Sequence, residues 1–255
     1  VRFSVVIPSY KDPYLQNTIL DILQSHDSSD LEIIVVLDGY KPKSILERKK
    51  VKYVFLGANR GMRGAINTGV SISKGECVLV CDEHCMFAPG FLHTLAKYCP
   101  EKGLTTALRY SLDPVEWAVM EGAPTGYERM IIHEGRFVGE RWRNRDRHRK
   151  NLRVDENMAM QGSCYFMRRD WWDKIGILQE EGYGPFAQEA PEILFKTWKA
   201  GGRLILNKRT WYAHKHRKFG RTHHAGQAIT GPGNAYALAT WKEYYEKEIV
   251  PRWFQ

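Results

Sequence analysis

Three short apolar runs, each ending in polar residues, constrain this chain more than any other feature. Phe3-Ser4-Val5-Val6-Ile7-Pro8 leads into Ser9-Tyr10-Lys11-Asp12, Leu31 to Leu37 leads into Asp38-Gly39, and Val78-Leu79-Val80-Cys81 leads into Asp82-Glu83-His84. Runs of four to eight residues rich in valine and isoleucine and closed by such residues read as buried strands. Val51 to Leu56 is a further strand of the same kind, and between the first two runs Leu15, Ile19, Ile22 and Leu23 recur at helical spacing. Strands alternating with helices imply a parallel α/β sheet with right-handed crossovers. Ligands of such sheets bind beyond the carboxyl ends of the strands, so the polar residues that close the runs are the first candidates for a site.

Asp82 and His84 are two residues apart, a spacing that points both side chains the same way if the strand continues. A carboxylate oxygen and an imidazole nitrogen so placed suit one divalent ion, with Mn²⁺ tolerating both donor types. An isolated Asp-x-His is also an ordinary polar strand end, and the neighbours decide between the two. Asn59-Arg60-Gly61-Met62-Arg63-Gly64-Ala65-Ile66-Asn67-Thr68-Gly69 reads as a loop entering a helix. Its glycines permit close backbone approach, and Arg60 and Arg63 place positive charge beside a helix N-terminus, which suits phosphate. Tight packing of helix on sheet explains the same glycines. A strand over Arg203 to Leu206 and an amphipathic helix over Ala235 to Ile249 follow near the end.

With 255 residues, 43% of them hydrophobic, the chain has enough apolar material for one sizeable core, and a single domain is expected. No apolar run reaches about 18 residues and no charged-then-apolar leader opens the sequence, so neither an anchor nor a signal peptide is expected within it. Five cysteines, odd in number and three of them around Asp82, fit a reducing, cytoplasmic compartment better than a disulfide framework. A zinc site on Cys81 and Cys85 lacks a second pair. The net charge of +9 favours polyanionic partners. Its densest stretch runs from Arg141 to Lys150; there Arg143, Arg145, Arg147 and Arg149 are candidate phosphate contacts and Trp142 a candidate stacking platform. A solvated basic loop is the plain alternative.

The order Val-Ile-Pro-Ser-Tyr at 5–10 less its first valine, Leu37-Asp38-Gly39, the glycine and asparagine pattern of 59–69 and then Asp82-x-His84 resembles the nucleotide-binding half of the A-type (GT-A) glycosyltransferases. Family 2 enzymes share this layout, and the Asp-x-His form is similar to the polypeptide N-acetylgalactosaminyltransferases of family 27. The resemblance implies a Rossmann-like GT-A domain with a central, mostly parallel sheet flanked by helices. Its nucleotide-sugar half would cover 1–100, its acceptor and catalytic half 101–218, and a lid with a helix 219–255.

It further implies a UDP-sugar donor with Mn²⁺ or Mg²⁺. Pro8, Tyr10, Asp12 and Asp38 would hold base and ribose, with Gly61, Arg63, Asn67 and Glu83 as neighbouring contacts. Asp82, His84 and His214 would carry the metal, with His216 in reserve, and Arg217 and Lys218 would neutralise the leaving diphosphate. Glu189, Glu192, Phe195 and Lys196 keep the family 27 spacing Glu-x-x-Glu-x-x-Phe-Arg/Lys, which makes Glu189 and Glu192 the catalytic candidates; a surface ion pair on one helix face is the plain alternative.

Inverting family 2 enzymes place their base at the position of Ala190. Retention is therefore expected, with inversion by Glu189 as the alternative. The leading acceptor expectation is a hydroxymethylated base in DNA, ahead of a protein Ser/Thr hydroxyl or a polysaccharide. A non-catalytic sugar-nucleotide or nucleic-acid binding module is the alternative of another class.

Overall fold

The apolar runs become the centre of one ten-stranded sheet in this computed structural model, which describes residues 2–26, 28–216 and 227–254, with the backbone alone at 227–229. In chain order the elements are β1 (Phe3–Ser9), α1 (Leu15–Ser25), β2 (Leu31–Leu37), β3 (Val51–Phe55), α2 (Gly61–Ile72), β4 (Cys77–Cys81), β5 (Cys85–Phe87) and α3 (Phe91–Tyr98). There follow β6 (Gly103–Asp113), β7 (Ala118–Val119), β8 (Glu128–His133), β9 (Arg136–Arg141), α4 (Arg143–His148), β10 (Val154–Asn157), β11 (Cys164–Arg168) and α5 (Arg169–Ile175). The last are α6 (Glu189–Lys199), β12 (Arg203–His214), α7 (Gln227–Tyr244) and α8 (Val250–Trp253), α7 and α8 being joined by a π turn over Tyr245–Ile249.

The sheet runs β10-β12-β6-β11-β4-β1-β2-β3, with β5 paired to β12 and β7 to β6. β3, β2, β1 and β4 are mutually parallel, β11 is antiparallel to both β4 and β6, and β12 is parallel to β6. The carboxyl ends of β1, β2, β4, β6 and β12 therefore share one edge. β8 and β9 form a separate hairpin.

Alternation along the buried strands sorts their side chains onto two faces. Val6, Ile34, Val36, Val78 and Val80 pack with Ala65, Ile66 and Val70 of α2 and with Ile193, Leu194 and Phe195 of α6. Phe3, Val5, Ile7, Ile33, Val35 and Leu79 pack with Ile19 and Ile22 of α1 and with Phe91, Leu92 and Leu95 of α3. α2 lies so close to the sheet that a Cβ on Gly69 would stand 2.4 Å from Val6 Cγ1, which makes that glycine a packing residue. The strand expected over 203–206 extends to His214, past an irregularity between Asn207 and Trp211. The C-terminal helix begins earlier than expected and buries Ala237, Tyr245 and Ile249, so it serves the core.

Candidate active site

The shared carboxyl edge gathers Tyr10, Asp38, Asp82 and His214 from the ends of β1, β2, β4 and β12. His84 arrives by a tight turn: the chain leaves β4 at Cys81 and re-enters the sheet as β5 at Cys85, which pairs with His214 across the β5–β12 ladder. Lys215 N–H donates to the His84 carbonyl at 3.2 Å, extending that ladder by one bond. The two imidazoles consequently lie 4.8 Å apart between ring centroids. Asp82 Oδ2 is 3.1 Å from His214 Nε2 and 3.7 Å from His84 Nε2. One ligand atom from each of the three residues lies within 4.8 Å of the others.

The surroundings prepare these groups as ligands. Asp12 Oδ2 accepts from His84 Nδ1–H at 3.1 Å, which leaves the Nε2 lone pair on the Asp82 side. Burial lowers the pKa of His214 to about 4, which keeps its imidazole neutral and able to donate a lone pair. Two imidazole nitrogens and one carboxylate oxygen suit Mn²⁺, Zn²⁺ or a similar divalent ion. Glu83 between them is buried; its carboxylate accepts from Tyr10 N–H at 3.0 Å, and burial, reinforced by the charges of Asp12 and Asp82, pushes its pKa up to about 8.

A cleft of about 460 Å³ opens beside the trio, lined by Pro8, Tyr10, Asp38, Gly61, Asp82, Glu83 and His84 together with Phe186. Asp38 Oδ1 accepts from Arg60 N–H at 2.7 Å, and burial raises the Asp38 pKa. Phe186 also lines a second cleft of about 1030 Å³, whose wall includes Glu189, Gln188, Gln161, Gly162, Arg109 and Asn234. The two clefts thus meet at one ring. Gln161 and Gly162 belong to the segment that enters β11, and Asp82 N–H donates to Ser163 O at 2.9 Å, so the second cleft adjoins the trio.

Residues 4–176 match the family model for glycosyl transferase family 2. The chain belongs to that family. It is 24% identical to the probable N-acetylgalactosaminyltransferase 7 of Caenorhabditis elegans over 98% of its own length and 45% of the relative's. It is 33% identical to the human dolichyl-phosphate beta-glucosyltransferase over 32% of its length and 30% of that protein's. Its fold matches a crystal structure of GalNAc-T7 with UDP, GalNAc and Mn²⁺ at a TM-score of 0.77 and 20% identity, covering 98% of this chain and 50% of the other. A Pyrobaculum calidifontis mannosyltransferase in complex with GDP-Man and Mn²⁺ matches at 0.59 with 16% identity, over 95% of this chain and 64% of the other. The chain spans about half the length of the first of these relatives, and its fold is GT-A.

Several expected contacts of the glycosyltransferase have other partners in the structure. Arg63 is 0% exposed and ion-paired with Glu192, its guanidinium 3.7 Å above the Tyr183 ring centroid, with Nη1 also donating to Gln179 O and Nη2 to Ala187 O. It therefore braces the 179–187 loop rather than facing a phosphate. Glu192 Oε1 receives both Gln179 N–H at 3.0 Å and Lys196 Nζ at 2.7 Å, while Arg63 holds Oε2, so it is an interior anchor. Asn67 clamps Leu178 through its N–H and C=O at 2.9 and 2.8 Å and lies outside the lining of the cleft. Asp12, with Oδ1 on Tyr14 N–H, sits behind His84. Gly61, at φ +79°, lets Met62 N–H reach Pro185 O at 2.8 Å.

The basic stretch is also largely committed within the molecule. Arg149 makes two bonds to Asp155, at 2.5 and 2.8 Å. Arg145 lies 5.1 to 5.2 Å from the ring centroids of Tyr127, Trp142 and Trp253 and donates to Glu156 O. Trp142 packs on Trp253 and Phe254 rather than presenting a stacking face. Arg143 and Arg147 are exposed. Arg217 and Lys218, and the first part of the expected lid with His223 and His224, lie outside the described residues; its later part, Gly231-Pro232-Gly233, lies within the helix α7. Phe186, Gln188, Gln161 and Asn234 carried no sequence signal, because each acquires its place through contacts with distant segments.

Proposed function

We propose that the chain moves a sugar from a nucleoside-diphosphate sugar, UDP-linked in the first instance, to an acceptor hydroxyl with retention, assisted by a divalent ion on Asp82, His84 and His214. The observation that carries this reading is the convergence of those three ligands at the mouth of the cleft formed by Pro8, Tyr10, Asp38 and Gly61. The ion, Mn²⁺ or Mg²⁺, supplies positive charge against the leaving diphosphate. The GalNAc-T7 structure holds UDP, GalNAc and Mn²⁺ and the mannosyltransferase structure GDP-Man and Mn²⁺, which supports the same assignment. Asp12 fixes the His84 ring, and the first cleft orients the nucleotide.

Retention is supported by Ala190, which stands where an inverting relative carries its base, and by Glu189, whose Oε1 already accepts from Ala187 N–H at 3.0 Å. The sugar C1–O bond to the diphosphate breaks as the acceptor oxygen bonds to C1 on the same face, and the acceptor proton passes to the departing diphosphate oxygen. Incubation with UDP- and GDP-sugars, metal and no acceptor tests the donor assignment: sugar release that EDTA abolishes and Mn²⁺ restores is the expected result. Product whose anomeric coupling in NMR shows the inverted linkage would overturn retention and make Glu189 the base.

For the acceptor, a hydroxymethylated base in DNA is the reading favoured by the +9 charge and the exposed Arg143, Arg147 and Lys150. The committed state of Arg145, Arg149 and Trp142 narrows its footing. A polypeptide hydroxyl is the second reading, favoured by similarity to the putative polypeptide N-acetylgalactosaminyltransferase 9 of Drosophila melanogaster. Hydroxymethylpyrimidine DNA and a Ser/Thr peptide offered to the same enzyme decide between them by product mass.

A further inference from the structure

Gln188 carries the most unusual combination of features in the second cleft. It has φ +63° and follows Ala187 at φ +98°, so two successive non-glycine residues take the left-handed region just before α6. Side chains rarely occupy that region, at a cost of about 1–3 kcal/mol each, and such residues persist where the surrounding structure requires them. Gln188 is 8% exposed. Its Nε2 donates to Phe137 O at 3.2 Å and to Asn234 Oδ1 at 3.1 Å. The carbonyl of Phe137 can only accept, which settles the amide orientation: the nitrogen faces β9 and α7, and Oε1 faces away from them. That Oε1 is buried and has no hydrogen-bond partner among the described residues.

A buried amide oxygen without a donor costs about 1–3 kcal/mol, and this one lies on a residue that lines the cleft shared with Glu189. Phe186 lines both this cleft and the nucleotide cleft, which sets Gln188 beside the place where a sugar carried on a diphosphate would lie. We infer that Gln188 is a specificity-determining residue, its Oε1 accepting a hydrogen bond from a hydroxyl or amide N–H of the sugar being transferred. The inference rests on the transferase reading and adds to it the side chain that reads the sugar. Its neighbours Ala187 and Glu189 hold that oxygen in place, Glu189 through its bond to Ala187 N–H.

A ligand able to donate at Oε1 could be the donor sugar or the acceptor, and deoxygenated substrates separate the two. UDP-sugars lacking one hydroxyl or the N-acetyl group are compared with their parent in acceptor-free hydrolysis, using wild type and Gln188→Gly. Glycine accepts the left-handed backbone while removing the oxygen. One analogue should lose about five- to tenfold in kcat/KM with wild type, the size of a single buried hydrogen bond, but less than twofold with Gln188→Gly. Because each variant is compared with itself on two substrates, a general loss of stability cancels from the ratio. The inference is overturned if every donor analogue is penalised equally by wild type and Gln188→Gly, which would leave Oε1 to an ordered water. It is also overturned if the coupling appears only with deoxygenated acceptors in the transfer assay. If wild type itself releases sugar from no UDP- or GDP-sugar, the transferase reading falls and takes this inference with it.

Discussion

The buried charged side chains around Asp82 and those around Arg63 are built in opposite ways. Around Asp82 the chain gathers carboxylates and imidazoles at the carboxyl edge of the sheet, where Asp12 and Asp82 raise the pKa of Glu83 further beyond the effect of burial. Around Arg63 it closes opposite charges on each other: Arg63 and Glu192, 0% and 1% exposed, are joined by Lys196 and by backbone from the 179–187 loop. The first arrangement concentrates acceptors toward a cleft and suits a cation. The second matches charge with charge inside the protein and suits scaffolding. Residue type does not distinguish them; the direction in which the polar atoms are satisfied does.

The comparison breaks most sharply if the Asp82 corner proves structural. Asp82→Ala, His84→Ala and His214→Ala are each expected to reduce transfer by a factor on the order of 10³ or more, since positive charge at a developing anion is usually the largest catalytic contribution. Thermal unfolding should move much less, because these side chains, although buried, sit at strand ends and a turn beside a cleft and not among the apolar side chains of the core. A loss of stability matching the loss of rate would place the corner with the scaffold.

Arg63 supplies the reverse test. Arg63→Ala or Glu192→Ala leaves one charge buried without its partner and should cost about 3–5 kcal/mol in urea unfolding, whereas the joint change Arg63→Met with Glu192→Leu should cost far less. A single variant of normal stability that fails to bind UDP would return Arg63 to the nucleotide.

Legibility in the sequence divides along the same line. Leu31–Leu37 and the Asp82 strand were readable because apolar β-branched runs report burial directly, and their closing residues had to emerge at a shared edge. His214 was reachable through its resemblance to a motif order. Arg63 read as a phosphate contact because an arginine beside glycines at a helix start looks the same whether it faces solvent or interior; its partner is 129 residues away. Arg149 misled in the same manner, its charge matched by Asp155 on a strand whose polar residues gave no strand signal. The β8–β9 hairpin and Gln188 depend on tertiary contacts that no local pattern records.

Asp12 sharpens the comparison by a smaller step, since it supports a ligand without belonging to the trio. Asp12→Ala frees the His84 ring and should weaken Mn²⁺ binding about 10–100-fold by calorimetric titration while leaving nucleotide contacts of the first cleft in place. Unaltered metal affinity would show that the β5 ladder alone orients His84.

Asp21 belongs to neither cluster and gives the smallest effect. On α1 it accepts from Phe87 N–H at 2.6 Å, and burial, partly offset by hydrogen bonds from Phe87 and Trp117, raises its pKa from 3.8 to about 6. The folded state therefore holds a proton that the unfolded chain has released between these values, so this residue makes stability fall as pH rises from about 4 to about 6. The shift corresponds to roughly 3 kcal/mol before screening and to about 1–2 after allowance for its partial exposure. Asp21→Asn retains an oxygen for Phe87 N–H and cannot ionise. The variant's unfolding free energy should rise relative to that of wild type, in the stabilising direction, by about 1–2 kcal/mol between pH 4 and pH 7. Parallel pH profiles for the two proteins would show that Asp21 is already ionised at no cost, satisfied by its hydrogen bonds in the manner of the scaffold carboxylates.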